Sequence, residues 1–243
     1  MRHILRGTAV ATVFVALSGV AMAQDPDGPT NTIVNPQTAK PAVKGWSSEV
    51  APAAGDQAPE LDARQKKIVD DVSAYFETLL NLKGSFVQTD ADNKRMKGKF
   101  FVKRPGRFRF DYARPSRQII VSDGQNLAIQ DLDLNNEDRV SLDQTPFRLL
   151  LRKDVNLLRD AKVLDVQDSA DMIVLTIEDK DPNSPGRIKL FLATKPTMEL
   201  KEWVTTDAQG QDTRIQLSQL VKTDELDGNL FKIQSLWPKN GAP

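Results

Sequence analysis

The feature of this sequence that most constrains its fold is an alternation of apolar and polar residues that continues over about half of the chain. In residues 96–104, Phe100 and Val102 alternate with lysines, and in the next segment Phe108 and Phe110 alternate with charged residues. Side chains of a β-strand point to opposite faces in turn, so this pattern is typical of strands that bury one face. The sequence therefore predicts a protein built mainly from β-strands.

The alternating segments are short, and turn residues separate them. Asp123-Gly124 and Gln209-Gly210 each lie between two alternating segments, which is typical of hairpins that join antiparallel strands. Helices do not alternate with the strands, which disfavours a parallel sheet. We expect about eleven strands in one antiparallel sheet. The alternation locates most of them, at residues 96–104, 108–112, 118–122, 127–132, 139–142, 161–167, 172–179, 187–193, 199–206 and 213–221.

Two segments have helical spacing instead. Apolar residues recur at steps of three and four between Ile68 and Leu80, which predicts an amphipathic helix of about twenty residues that ends before Gly84. A second, shorter helical segment at residues 146–152 interrupts the strands. Because a sheet of many twisted strands curls, we expect the long helix to cover its concave face and the short one to rest there as a lid. The lid residues are Pro146, Phe147, Leu149, Leu150 and Leu151.

The first sixty residues differ in composition from the rest. A short basic start and an apolar stretch precede Ala21-Met22-Ala23, which predicts a signal peptide cleaved after Ala23 and export to the periplasm. Residues 24–60 are rich in proline and polar residues, which indicates a disordered tether. The predicted organisation is therefore a signal peptide at 1–23, a tether at 24–60 and one folded domain at 61–243.

Composition excludes several classes of function. Lysine plus arginine number 33 and aspartate plus glutamate number 33, so no basic surplus exists to bind nucleic acid. The chain has 0 cysteines, and its single histidine, His3, lies in the predicted signal peptide. Without either residue the mature chain has no Ser-His or Cys-His nucleophile and lacks the usual transition-metal ligands. We therefore expect no enzymatic activity, no cofactor and no metal.

The concave side of such a sheet can enclose apolar space. The interior of a barrel grows with its number of strands, and two helices would fill only part of it. From the residues alone two interpretations stay open, an ordinary packed core or a cavity for an apolar ligand. The residues concerned are Phe86, Phe100, Val102, Phe108, Phe110, Ile119, Val121, Leu127 and Ile129.

Arg104 bears on this choice. In a regular strand it shares the inward face with Phe100 and Val102, and no acidic residue alternates onto that face nearby. A buried arginine without a carboxylate partner is costly. It either reaches solvent at the strand end or donates hydrogen bonds to carbonyl groups of the lid, and the alternation alone does not decide between these.

Several short motifs resemble the LolA family in their order and spacing. They are the Phe-x-Gln of residues 86–88, Lys103-Arg104-Pro105 and Ser122-Asp123-Gly124. The segment that begins with Pro146-Phe147 also falls where that family has a lid helix. The resemblance is best over residues 63–151, and beyond them the chain shares mainly the rhythm of strands.

The resemblance implies a mainly β fold with helices, an incomplete and unclosed antiparallel β-barrel of about eleven strands. It also implies a cavity that receives the acyl chains of outer-membrane lipoproteins. These would come from an inner-membrane ABC lipoprotein-release complex and pass to an outer-membrane receptor that is LolB-like or equivalent. The family's latch arginine corresponds to Arg104. We expect a monomer, because a one-to-one carrier needs nothing more. The proline-rich segment before Leu61 and residues 226–243 depart from the family pattern.

Other functions fit the sequence less well. A LolB-like receptor would need a lipid-anchoring cysteine at its mature start, and an RseB-like lipoprotein sensor usually has a further C-terminal domain, for which the residues after Val221 are too few. A general lipid-binding protein remains an alternative. A glycoside hydrolase would need paired carboxylates. The candidates lie at predicted turns, where acidic residues are normally solvated, and are Asp123, Asp131, Asp133 and Glu137.

Overall fold

The fold is described from a computed structural model, which describes residues 60–207 and 209–236. The predicted signal peptide, nearly all of the predicted tether and the last seven residues lie outside this part of the chain. Within it, eleven strands form one antiparallel sheet. They are β1 Asn81–Thr89, β2 Arg95–Lys103, β3 Arg107–Tyr112, β4 Gln118–Asp123, β5 Asn126–Asp131, β6 Asn136–Ser141, β7 Ala161–Asp168, β8 Met172–Asp179, β9 Arg187–Ala193, β10 Glu199–Thr206 and β11 Asp212–Lys222.

The order of the strands shows how the sheet curls without closing. From one edge to the other it runs β6-β5-β4-β3-β2-β1-β11-β10-β9-β8-β7. The first and last strands of the chain meet in the middle, where Phe86 pairs with Leu217. β6 and β7, although consecutive in sequence, form the two opposite edges. The predicted unclosed antiparallel barrel of about eleven strands is therefore confirmed.

The long helix α1, Ala63–Glu77, covers the sheet. It begins with a capping box, in which the Asp62 carboxylate accepts from the Gln65 backbone N–H while the Gln65 side chain accepts from the Asp62 N–H. Its buried apolar side chains belong to one core cluster together with those of strands β7 to β10. They are Ile68, Val69, Val72 and Phe76. No helix among the described residues is long and apolar enough to span a membrane.

This helix has 15 residues, so it is shorter than the predicted length of about twenty. The apolar spacing continues to Leu80, but the helix ends at Glu77 and β1 begins at Asn81. The reason lies in long-range pairing, because residues 81–89 bond to β2 on one side and to β11 on the other. A helix through this segment would leave two strands without their neighbour. β1 is thus the strand that the alternation did not locate.

The connection between the two edge strands contains the segment that was predicted to be a lid, and the name lid is kept for it. Residues 142–160 link β6 to β7, so they cross the open side of the sheet, and they contain two short helices, α2 Arg148–Leu151 and α3 Leu157–Asp160. The start of α3 and the chain just before it are hydrogen-bonded to α1. The Leu157 backbone N–H donates to the Ser73 hydroxyl over 3.1 Å, and the Val155 N–H donates to the Glu77 carboxylate over 3.3 Å.

After β11 the chain crosses to the convex face. A 3₁₀ turn at Gly228–Phe231 contacts β3 and β4, and Phe231 is only 2% exposed. Three side chains of the sheet donate hydrogen bonds to backbone carbonyls of this segment. Lys103 binds Leu226 O at 2.7 Å, Arg109 binds Leu230 O at 3.2 Å and Gln130 binds Gln234 O at 2.6 Å. Part of the sheet is therefore covered on both faces.

Candidate functional site

A cavity of about 90 Å³ lies between the concave face of the sheet, the end of α1 and the lid. Its walls come from β1 to β3 on one side and from β10 and β11 on the other. Apart from Arg104 and Trp203, every lining side chain is a hydrocarbon. The lining residues are Phe76, Leu79, Leu82, Phe100, Val102, Arg104, Phe108, Phe110, Phe147, Leu150, Leu151, Leu200, Trp203 and Leu217.

Aromatic rings connect the lid to both halves of the sheet. Phe147, directly before α2, has its ring centroid 5.9 Å from that of Phe108 and 6.3 Å from that of Trp203. Phe110 stacks on Phe100 at 5.7 Å and meets Trp203 edge-on at 6.2 Å. The ring of Phe147 thus lies over the cavity between β3 and β10.

The volume of the cavity limits what the closed form can hold. An engineered apolar cavity of about 150 Å³ takes one benzene molecule, and the cavity here is smaller. A long alkyl chain needs much more space than benzene. Entry of such a chain therefore requires the walls to move, and the lid contributes Phe147, Leu150 and Leu151 to them.

Arg104 lies directly after β2, and its guanidinium bridges α1 and the lid. Nη1 donates to the carbonyl of Phe76 at the end of α1, and Nη2 donates to the carbonyl of Arg152, directly after α2. Burial lowers the pKa of Arg104 from its usual value, and the charge of nearby Glu77 opposes this shift. No carboxylate forms an ion pair with it among the described residues. The dipoles of the two carbonyl groups therefore stabilise its charge.

The backbone of the turn between β2 and β3 adds a second link to the lid. The Gly106 N–H donates to the carbonyl of Leu151 over 2.9 Å, beside the bond from Arg104 to Arg152. The last carbonyl groups of a helix have no partner within the helix. The turn therefore supplies donors to the C-terminal end of α2, one from a side chain and one from the backbone.

The other side of α2 is attached by an ion pair. Arg148 donates through Nε and Nη2 to the two carboxylate oxygens of Asp179 at the end of β8, over 2.5 and 2.6 Å. The Asp179 side chain is 0% exposed and that of Arg148 is 19% exposed. This hydrogen bond is the chief reason that the pKa of Arg148 is raised. The lid is thus held to β8 by a bidentate ion pair and to the β2–β3 turn by hydrogen bonds that its backbone carbonyls accept.

Part of the predicted site lies together in the cavity. Four of the predicted cavity residues line it, namely Phe100, Val102, Phe108 and Phe110, and so do Arg104 and the lid residues Phe147, Leu150 and Leu151. The other two lid residues, Pro146 and Leu149, are buried but do not line it. Phe86 is buried deeper in the core against Phe110 and Tyr112. Leu127 packs near the β6 edge with Phe108 and Leu142, and Ile129 also lies outside the cavity wall.

Ile119 and Val121 were predicted on the wrong face. Val121 pairs with Arg109, whose guanidinium binds the C-terminal segment on the convex side. Ile120 pairs with Phe110 and thus faces the concave side in place of Ile119. The segment Ile119-Ile120-Val121 is apolar on both faces because the convex side is also covered, and alternation cannot assign a face to such a strand.

Sequence reasoning missed the lining residues from α1, β1, the connection between them, β10 and β11. They are Phe76, Leu79, Leu82, Leu200, Trp203 and Leu217. In β10 the register shifts between Leu200 and Glu202, so that Leu200 and Trp203, three residues apart, both face the cavity. A bulge of this kind breaks the period of two. The sequence shows that Leu200, Trp203 and Leu217 are apolar, but it does not show that they share one face of the sheet.

The carboxylates considered for hydrolysis lie outside the cavity lining. Asp123 accepts from the backbone N–H groups of Gln125 and Asn126, and Asp131 accepts from those of residues 133 and 134. Asp133 lies 3.8 Å from the exposed Arg117, and Glu137 accepts from Gln130 and Arg139. These groups stabilise turns and strand edges. Among the described residues no cluster of three or more potential metal-ligating side chains occurs.

Comparison with known proteins gives a consistent result. The family model of the outer membrane lipoprotein carrier protein LolA matches residues 77–234, more than half of the 243 residues. The outer-membrane lipoprotein carrier protein of Chromobacterium violaceum is 30% identical over 175 residues, 69% of this chain and 81% of that protein. Its counterpart in Alkalilimnicola ehrlichii is 29% identical over 188 residues, 74% of this chain and 84% of that protein.

Among solved structures, the crystal structure of a LolA superfamily protein from Nitrosomonas europaea covers 70% of this chain and 98% of its own, with 10% identity and a TM-score of 0.40. The assignment depends on the family model and the sequence relatives. Because that model matches more than half of the chain, the chain belongs to the family of outer membrane lipoprotein carrier proteins, LolA.

Proposed function

We propose that this protein is a periplasmic carrier that shelters the acyl chains of lipoproteins and delivers them to the outer membrane, and that it is not an enzyme. The observation that carries the proposal is the hydrocarbon-lined cavity closed by a lid that Arg104 bridges to α1. An apolar cavity with few polar groups suits an alkyl chain and offers nothing to catalyse a reaction. The names of the sequence relatives support the same function.

The energetics favour a carrier with a lid over an open groove. An acyl chain of about fifteen methylene groups, each worth about 0.8 kcal/mol on burial, would contribute about 12 kcal/mol if fully sheltered. A site that captured this energy for each chain would release its cargo too slowly. Opening the lid breaks the bonds from Arg104 and Gly106 and separates Phe147 from Trp203, which subtracts from the net affinity. The free energy spent on opening the lid thus keeps the loaded state ready for transfer.

The partners follow from this function. The cargo would be supplied by an inner-membrane ABC lipoprotein-release complex and accepted by an outer-membrane receptor, LolB-like or equivalent. A signal peptide at residues 1–23 would bring the chain to the periplasm, where both membranes can be reached.

The identity of the cargo is tested by purifying the full chain from periplasm and analysing bound molecules by mass spectrometry. We expect covalently acylated protein bound in about equimolar amounts. Free phospholipid or fatty acid alone would instead identify a general lipid-binding protein. Purified protein without either would contradict the proposal.

The role of Arg104 is tested by an Arg104→Leu variant in a two-step assay. Without the hydrogen bonds to Phe76 and Arg152, opening the lid requires less free energy. The variant should therefore load lipoprotein at least as well as the parent but, because it binds its cargo more tightly, pass it to the acceptor more slowly. Arg117→Leu, which removes an exposed arginine outside the cavity, is the matched control and should transfer like the parent. Equal transfer by the Arg104 variant and the parent would refute the proposed role of the latch.

A further inference from the structure

The cavity wall contains a buried donor that has no acceptor. Trp203 lines the cavity and is 9% exposed, and its indole Nε1 forms no hydrogen bond within the described part of the chain. Buried N–H groups in proteins are nearly always paired, so an unpaired one in a binding cavity calls for an explanation. A bound ligand that supplies the acceptor is such an explanation.

Arg104 supplies a second unpaired donor in the same wall. Its two Nη atoms bind the carbonyls of Phe76 and Arg152, but Nε is buried and has no partner among the described residues. The remaining side chains of the wall are hydrocarbons, which neither donate nor accept. The side chains of the wall therefore include two unpaired donors and no acceptor, and with the lid closed neither donor nitrogen is exposed to the cavity.

We propose that the indole N–H of Trp203 donates a hydrogen bond to the carbonyl oxygen of an ester-linked or amide-linked acyl chain. This inference rests on the proposed function, and it adds what the site recognises: the linkage at the head of the chain as well as its alkyl part. An ester carbonyl accepts hydrogen bonds and donates none, which complements a wall with donors only. Trp203 thereby selects acyl chains over alkyl chains of equal length that lack a carbonyl.

The position of Trp203 fits this role. Its ring meets Phe110 of β3 at 84° and Phe147 of the lid at 80°, with centroids 6.2 and 6.3 Å apart. Edge-to-face contact with a ring satisfies an N–H only weakly. The ring of Phe147 belongs to the lid that must move on loading, so a carbonyl group can take its place beside Trp203.

A pair of lipids that differ only in the carbonyl tests the inference. Monopalmitoyl glycerol has an ester carbonyl, whereas hexadecyl glycerol has an ether linkage with the same headgroup and a chain of equal carbon number. Binding of each to the full-length protein is measured by competition with an environment-sensitive dye. The parent should bind the ester about tenfold more tightly than the ether, the ratio expected for one buried hydrogen bond.

Two variants separate hydrogen bonding from packing. Trp203→Phe keeps an aromatic ring without the donor, so it should weaken ester binding about tenfold more than ether binding, and the preference for the ester should disappear. Phe108→Leu, which alters the hydrocarbon wall without removing a donor, should weaken both lipids alike. Thermal unfolding of both variants checks that they are folded.

The possible outcomes separate this inference from the proposed function. Equal binding of ester and ether by the parent would overturn the inference without any variant and leave the carrier function standing. Equal weakening of both lipids by Trp203→Phe would reduce Trp203 to a packing role and also overturn it. Failure of the parent to bind either lipid would overturn the acyl-binding function itself, and the inference with it.

Discussion

Replacing Arg148 with methionine should destabilise the fold by about 3 kcal/mol. Removing one partner of a buried ion pair usually costs about 3–5 kcal/mol, because the other charge is left buried. Here the Asp179 carboxylate has no solvent exposure, but the backbone N–H of Asp181 still donates to it over 2.8 Å. This remaining bond and the partial exposure of Arg148 place the expected loss at the lower end of the range.

Urea unfolding measures this loss, with the free energy obtained from the midpoint and the slope. In Arg148→Met/Asp179→Leu the orphaned charge is also removed, so we expect at least half of the lost stability to return. Lys195→Met is the control, because Lys195 and Asp171 form an exposed pair, and exposed pairs contribute about 0–1 kcal/mol. The reasoning is refuted if Arg148→Met loses less than about 1 kcal/mol, or if the double variant is no more stable than the single one.

Three further variants test other parts of the structure. A Cβ at Gly98 would lie 2.1 Å from the Asp111 carbonyl oxygen, so Gly98→Ala should cost at least about 1–3 kcal/mol in urea unfolding, and a parental midpoint would contradict the close packing of β2 and β3. Phe231→Ala should lower the free energy of unfolding by about 3–5 kcal/mol and release the C-terminal segment from the convex face, so that proteases cleave this segment faster. An unchanged cleavage rate would argue against docking of this segment on the sheet. The pKa of Asp160 is lowered, chiefly by the hydrogen bond from Arg159, so its carboxylate stabilises the fold above the ordinary value of 3.8 and loses this effect as the pH falls through the lowered pKa. Asp160→Asn should therefore be less stable than the parent at pH 7 and equally stable well below pH 3.8, and a difference that persists in acid would contradict this assignment.

Local patterns in the sequence were sufficient to predict which side chains face inward where one face of a strand is buried and the other is solvated. In β2 and β3, the positions of Phe100, Val102, Phe108 and Phe110 follow directly from alternation, and all four line the cavity. The motif around Arg104 likewise falls at the end of β2, beside the lid. Sheet, lid and half of the cavity wall could therefore be predicted.

The remainder depends on contacts between distant parts of the chain. Ile119 and Val121 could not be assigned to a face, because the C-terminal segment that covers the convex side is more than a hundred residues away. The apolar spacing up to Leu80 continues the helical period, and only the pairing of β1 with β2 and β11 shows that the strand begins at Asn81. The contribution of Trp203 depends on a register shift in β10. Bulges and long-range pairings leave no reliable local pattern.

The most direct test of the central claim is whether an acyl chain reaches Trp203 when cargo is bound. The chain has 3 tryptophans, so a Trp46→Phe/Trp237→Phe variant retains Trp203 as its single tryptophan. This variant is loaded with a synthetic diacylated lipopeptide that has bromine atoms in its acyl chains, which quench tryptophan emission on contact. We predict strong quenching of Trp203 by the brominated lipopeptide and little by its unbrominated counterpart. Equal emission with both lipopeptides, at measured saturation of binding, would show that the acyl chains lie elsewhere and contradict the account.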